Sequence, residues 1–376
     1  MKKVLLHAYD RQNLGDDLFI QTIAKRYPHV QFRMWSTLEN QRNFQFLPNL
    51  KVLDKHGKMM RLLFKIRPSF VSWYRHWQEK RCQAAVYIGG SIFMEYDIWE
   101  QLLSWWEYMA DYFPFYVMGA NFGPYKTEAY RQKMAEIYDK MQDVCFRDRY
   151  SYELFKEKKT VRYAPDILFS YPMPKVSVTN KQVFVSVIDC IGRSGNSPLD
   201  AYDESYVKNM TTLLQGYLND GHTLVLASFC KEEGDELGIE KVLHAMDCEE
   251  DTRVRVLHYD GTNAEELLTA MASSEYVIAT RFHAMVLALT AGRPVLPIIY
   301  SDKTSNVLND IGFQGRKFDL RKDQVWSYAD SRYNLDQKVP GIPKDLKGRA
   351  ENHFVKLDEI LGQKCVSNAS KGEEVS

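Results

Sequence analysis

Short aliphatic and β-branched runs alternate along this chain with segments whose apolar residues recur three and four apart. That alternation leaves few architectures open. Strands are expected at 3–8, 30–34, 84–88, 115–118, 144–147 and 161–164, and a second series at 183–188, 223–227, 253–258, 276–279 and 295–299. Helical spacing fills the gaps at 17–27, 99–112, 128–141, 204–218 and 264–272. Strand, helix, strand in regular order calls for parallel pairing with crossover helices, hence an α/β protein with helices on both sheet faces. The order breaks once, at YPMPKVSVTNKQ (171–182), where two prolines among polar residues read as a linker.

The expected division is therefore an N-terminal Rossmann-like domain over 1–177, a second over 178–350, and a C-terminal piece over 351–376. In that last piece, Asn352–Leu361 reads as a helix returning to the first half, and 367–376 as a polar tail. A length of 376 residues accommodates two domains of ordinary size, and 45% hydrophobic with 26% charged residues suits a globular chain with real cores. Lys plus Arg equals Asp plus Glu at 49 each, so no overall charge favours nucleic acid, and any anion recognition has to be local. The six cysteines (Cys82, Cys145, Cys190, Cys230, Cys248, Cys365) form no CxxC pair and no cluster with histidine. This argues against a disulfide framework or a structural zinc and for a reducing compartment. Asp10 and Arg11 cut the apolar start MKKVLLHAYD too short for a signal peptide, and no run nears the roughly 20 apolar residues of a membrane span. A cytoplasmic protein is the expectation.

In two such halves, ligands are expected in the crevice beyond the carboxyl ends of the strands. The first strand ends in HAYDRQNLGDDLF, where Asn13, Gly15 and Asp16 could present backbone amides and a carboxylate to a ligand. The plainer reading is that an aspartate there caps the helix. The sequence is not GxGxxG, so a dinucleotide site is poorly supported. AVYIGGSIF supplies Gly89 and Gly90, and VMGANFGPY supplies Asn121 beside two more glycines. VCFRDRYS places Arg147 and Asp148 at a strand end, with Asp166 following in APDILF; an ion pair locking two loops would explain these as well as a ligand contact would.

In the second half, SVIDCIGRSGNS offers Asp189 and Arg193 after its first strand. The densest polar group comes later, in ATRFHAMVLALTAGRPVLPIIYSDKTSN (279–306). Arg281 and His283 fall where a buried strand gives way to a helix, so a helix N-terminus and a guanidinium both favour an anion there. His283 could move a proton near neutral pH. Lys303 and Ser305, after the next strand, could reach the same anion.

This block closely resembles the C-terminal signature of the polysaccharide pyruvyl transferase family: Ser/Thr-Arg, an aromatic or aliphatic residue, His-Ala, then Gly-x-Pro, a strand and a Tyr…Lys segment. NLGDD, YIGGSIF, GANFGPY, FRDRYS and APD stand upstream in the order that the family's first half requires. The resemblance implies a GT-B-like arrangement of two Rossmann-like domains facing a cleft. It also implies transfer of pyruvate from phosphoenolpyruvate to a sugar of an exopolysaccharide or cell-wall glycan precursor, as a ketal, with release of phosphate. Arg281 matches the arginine that holds the donor's phosphate or carboxylate, His283 the acid/base histidine, and Lys303 a donor contact. Asn13, Gly15 and Asp16 match the N-terminal loop, and Asp148 and Asp166 match recurring positions. Asp16 or Asp189 could take the acceptor's proton. Many members carry an arginine at the end of the first strand of the second half; this chain has Ile188–Asp189 there, with Arg193 the nearest replacement. Phosphoenolpyruvate is then a substrate, and no cofactor or metal is expected. Two other readings use the same residues: a GT-B glycosyltransferase acting on a nucleotide sugar, and a non-catalytic carbohydrate-binding protein.

One stretch lies outside this scheme. Residues 55–81 carry eight Lys/Arg against one Glu, interleaved with aromatics. With zero net charge and no RNA-binding motif, nucleic acid is a poor partner. Peripheral contact with the anionic inner leaflet, near a lipid-linked oligosaccharide acceptor, is one expectation; a solvated helix face broken at Pro68 is the other.

Overall fold

A computed structural model describes residues 1–192, 199–248, 250–337, 339 and 343–362. The chain forms two parallel sheets. The first contains β1 (Lys2–His7), β2 (Val30–Ser36), β3 (Leu50–Asp54), β4 (Ala84–Ile88), β5 (Phe115–Ala120), β6 (Asp143–Phe146) and β7 (Val161–Tyr163), in the order β3-β2-β1-β4-β5-β6-β7. The second contains β8 (Thr179–Ser186), β9 (Thr223–Ser228), β10 (Val254–His258), β11 (Ser274–Ala279), β12 (Val295–Ile299) and β13 (Phe318–Asp319), in the order β10-β9-β8-β11-β12-β13. Every pairing is parallel. Strands such as FYVMGA and VLPII are buried along their whole length, as central strands covered by helices on both faces must be.

Some elements lie outside the expected series. β3 and β13 were not anticipated: LKVLD is a partly exposed edge strand and Phe318–Asp319 pairs over two residues, too short for periodicity to register. The helix Asp235–Met246 was also missed.

Each half has an apolar cluster of its own, and a third, larger one joins them. The largest apolar cluster runs from Val4 and Leu18 of the first sheet's layer through Ile167–Phe169 to the helix Phe282–Thr290 of the second. Thr290 Oγ1 donates to the Leu168 carbonyl at 3.2 Å across that seam. Past the second sheet the chain comes back to the first. Asp358 accepts from Arg26 (2.7 Å) and from the Tyr27 hydroxyl (2.7 Å), and the Arg162 guanidinium donates to the His353 carbonyl at 2.7 Å. No helix among the described residues is long and apolar enough to cross a membrane.

Candidate active site

The strand orders fix where a crevice must open. In the first sheet the chain steps outward from β1 to β2 and β3, then restarts on the other side with β4. In the second it does the same at β8 and β11. Such switch points leave adjacent loops diverging above the sheet. The residues that follow β1, β4, β8 and β11 include Asn13–Asp16, Gly89–Gly90, Asp189 and Thr280–His283.

His283 lies in the first turn of the helix Phe282–Thr290 and reaches across to the first half. Its ring meets Phe19 edge-on at 5.1 Å and lies directly on Gly15, where a methyl group would overlap the imidazole. On its other side, Arg147 Nη1 is 3.4 Å from Nε2. A guanidinium can only donate, so in this contact Nε2 carries the lone pair and the ring proton is on Nδ1. The electrostatics agree with a neutral imidazole. Burial holds its pKa well below the usual histidine range, and the charges of Arg147, Lys303 and Arg281 lower it further against the opposing pull of Glu233.

Arg147, at the end of β6, is the centre of the cluster. It is buried, forms an ion pair with Asp166 at 3.0 Å, and donates to Asn121 Oδ1 at 2.7 Å. Asp166 is also fixed, because it accepts from the Leu168 amide at 2.9 Å. Gly90 makes room for the guanidinium: a methyl group there would come within 2.5 Å of Nη2. Phe282 lies under the same guanidinium, its ring centroid 4.1 Å from Cζ, and Lys303 Nζ is 5.8 Å from that ring. One aromatic ring thus gathers two cations. Among the described residues Lys303 has no hydrogen bond or ion pair.

Arg281 is arranged differently from the expected open anion fork. Its guanidinium is on Asp235, with Nε 2.9 Å from both carboxylate oxygens, and on Glu233 through Nη1. Asp235 is fully buried and also accepts from the Phe229 and Cys230 amides at 2.9 and 3.0 Å. The Glu233 side chain keeps 32% of its surface and accepts from Asn13 Nδ2 at 3.3 Å, so it borders the crevice. Asn13 Oδ1 accepts from the Gly15 amide at 3.1 Å, making Asn13 the cap of the helix Leu14–Arg26.

Asp16 adds a further carboxylate. Burial and then Glu233 raise its pKa, Arg147 and Lys303 oppose, and Asp166 adds a smaller push; the result is about 7. Its neighbour Asp17 faces elsewhere, accepting from the Tyr259 hydroxyl at 2.7 Å and from Asn43 at 3.2 Å.

The structure thus brings Asn13, Gly15, Asp16, Gly90, Asn121, Arg281, His283 and Lys303 into one group. Three of the other candidates make their contacts elsewhere. Asp148 caps the helix Arg149–Glu153, its two oxygens taken by the Ser151 amide (2.8 Å) and hydroxyl (3.0 Å). Asp189 turns to Lys241 at 2.7 Å. Gly89 is part of the turn: its amide donates to the Met118 carbonyl at 3.1 Å and its α-carbon faces Ile92. Ser305 is half-buried in the helix Asp302–Asp310, and Arg193 lies outside the described residues. Sequence reasoning gave Arg147 too little weight, and missed Glu233 and Asp235. The last two stand in KEEGDE, which leads from β9 into the helix Asp235–Met246; this is another strand end, which was the available signal.

Known proteins match this geometry at the level of fold. The structure resembles UDP-GlcNAc 2-epimerase from Neisseria meningitidis bound to UDP-GlcNAc, with a TM-score of 0.60 at 8% identity over 96% of this chain and 100% of that one. The Methanocaldococcus jannaschii UDP-GlcNAc 2-epimerase gives 0.57 at 9% identity, over 96% and 100%. HepE from Anabaena in complex with UDP-glucose gives 0.55 at 11%, over 95% and 96%. The shared architecture is the GT-B fold: two parallel-sheet halves facing a crevice. The family model for polysaccharide pyruvyl transferase matches residues 13–302, which reach from the Asn13 cap to the helix that carries Lys303. With most of its length covered by that match, the chain belongs to the polysaccharide pyruvyl transferase family.

Proposed function

We propose that this protein transfers pyruvate from phosphoenolpyruvate to a pair of hydroxyls on a sugar of an exopolysaccharide or cell-wall glycan precursor, forming a ketal and releasing phosphate. The observation that carries this reading is the neutral His283 held between Gly15 and Arg147, with Lys303 and Arg147 gathered on Phe282. The donor is a phosphate and a carboxylate flanking a methylene-bearing carbon. It needs cations around a proton-carrying group, and this cluster supplies both.

Charge balance suggests how the donor enters. Arg147, Arg281 and Lys303 face Asp166, Asp235 and Glu233, with Asp16 beside them. A trianion entering a nearly neutral group must bring protons with it or displace a carboxylate. Both routes exist. Asp16 titrates near neutrality, and His283 loses the cationic pressure on its pKa once a trianion screens Arg147 and Lys303. Glu233, the most exposed partner of Arg281, can yield its place to the donor while the buried Asp235 keeps the guanidinium oriented.

Once charged, His283 protonates the methylene carbon. A sugar hydroxyl bonds to the adjacent carbon, the carbon–oxygen bond to phosphate breaks, and the second hydroxyl closes the ketal. Of the two hydroxyl protons, one ends on the new methyl group by way of His283 and one on the released phosphate. Asp16 is the base for the attacking hydroxyl. Prearranged charges of this kind commonly provide the largest share of a rate enhancement, and acid–base transfer typically adds about 10²–10⁴-fold.

Two of the fold relatives were solved with a UDP-sugar, so the test must separate donors. Calorimetric titration with phosphoenolpyruvate and with UDP-glucose should show binding of the first. Adding a glycoside acceptor should then release phosphate. UDP released from a UDP-sugar would reassign the protein to glycosyl transfer, and donor binding without any release would make it a binding protein.

A further inference from the structure

We propose that the helical hairpin formed by Lys58–Ile66 and Pro68–Glu79 docks this protein on the surface of an anionic lipid bilayer. The hairpin links β3 to β4, and its two helices pack chiefly on each other at the outside of the first sheet. It leaves a large apolar surface open: Leu62 (54%), Phe64 (63%), Ile66 (61%), Phe70 (41%), Trp73 (62%) and Trp77 (40%) are all exposed. Isolated exposed apolar residues are ordinary; this many on one protrusion mark a contact surface.

Their spacing organises them. Leu62 and Ile66 stand four apart on the first helix. Phe70, Trp73 and Trp77 form a stripe along the second, with the two indoles stacked at 6.4 Å. Lys58, Arg61 and Lys65 share another side of the first helix. The Arg81 guanidinium lies 3.7 Å above the Trp77 ring. From 58 to 81 there are seven Lys/Arg and one acid, Glu79. That acid is turned inward to the Trp35 indole (3.1 Å) and the Tyr108 hydroxyl (3.3 Å).

Charge decides what covers this face. A second copy would set the same cationic surface against itself, which repels. A nucleic acid would satisfy the cations and leave Leu62 and Ile66 in water. An anionic bilayer takes both: headgroups meet the lysines and arginines, indoles occupy the interface, and aliphatic chains enter its apolar edge. The base of the hairpin is anchored beside the crevice, since Lys55 pairs with Asp10, just past β1, at 3.0 Å. Docking would therefore hold the strand-end face close to the membrane. The inference does not depend on which group the site transfers.

Vesicle flotation tests it on the full-length protein. Vesicles of phosphatidylcholine with phosphatidylglycerol should bind at least about tenfold more protein than phosphatidylcholine alone, and salt should weaken that binding. The variant Leu62→Glu, Phe64→Glu, Trp73→Glu should stay at the bottom of the gradient with an unchanged circular-dichroism melt. The charge variant Arg61→Glu, Lys65→Glu alters only exposed side chains and should lose the preference for anionic vesicles. The proposal is overturned if the wild type floats with neither vesicle, or if both variants float as it does. It also fails if light scattering shows a wild-type dimer that the apolar variant converts to monomer, which would assign the face to a second copy.

Discussion

Gly15 of the first half and His283 of the second are packed so closely that no side chain fits between them. The first turn of the helix Leu14–Arg26 and the imidazole are therefore a single fitted contact across the crevice, and the seat of the ring depends on a missing methyl. Gly15→Ala should push the ring aside. We expect a stability loss of about 1–3 kcal/mol, typical of overpacking, and a fall in turnover of about 10²-fold, typical of a misplaced catalytic group. Urea denaturation and steady-state rates on the same preparation check both. An alanine variant with wild-type turnover would mean that the ring's seat does not matter.

Arg147 and Asp166 are both buried, at 2% and 0% side-chain exposure. Removing one partner of such a pair strands the other charge, so Asp166→Asn should cost about 3–5 kcal/mol in urea denaturation. Arg147→Lys keeps the charge but loses the fork shared by Asp166 and Asn121. It should weaken the donor about 10–100-fold in titration calorimetry, the usual value of one or two hydrogen bonds involving a charged group.

The displaceable carboxylate makes a prediction of the opposite sign. If the donor competes with Glu233 for Arg281, then Glu233→Gln should tighten phosphoenolpyruvate about fivefold, in keeping with an ion pair exposed only on its carboxylate side. Arg281→Ala should chiefly weaken donor binding. Equal dissociation constants for wild type and Glu233→Gln would remove the exchange from the account.

Donor binding should also take up protons. In the empty site His283 is neutral, held below the histidine range, and Asp16 is half-protonated near pH 7. A bound trianion raises both pKa values, so at pH 7–8 the complex holds more protons than its separated parts, and affinity must fall as pH rises. Calorimetry in buffers of different ionisation enthalpy reads the uptake directly. His283→Ala together with Asp16→Asn should abolish it, whereas undiminished uptake in that variant would place the titrating groups elsewhere.

Much of this was legible in the sequence because it rests on periodicity and strand ends. Buried parallel strands such as FYVMGA announce themselves, and the polar residues that follow them, Asn13, Gly15, Arg281, His283 and Lys303, converge because topology brings those ends together. What the sequence does not carry is pairing. Nothing local in FRDRYS distinguishes Arg147, turned toward His283, from Asp148, spent on a helix cap. Nor does ATRFHA reveal that Asp235, 46 residues earlier, already holds the guanidinium of Arg281. Those choices are made by long-range contacts. The short strands β3 and β13 escaped for a related reason, since their register comes from the neighbouring strand rather than from their own pattern.

The central claim is that the cluster around His283 transfers pyruvate. Its most direct test is incubation of the protein with phosphoenolpyruvate and a panel of free and lipid-linked glycosides, with phosphate release and product mass measured together. The account predicts one phosphate released for each product heavier by one pyruvate less one water, and no such product from a folded His283→Ala variant. Phosphate release without that mass gain, or the same yield from His283→Ala, would contradict it.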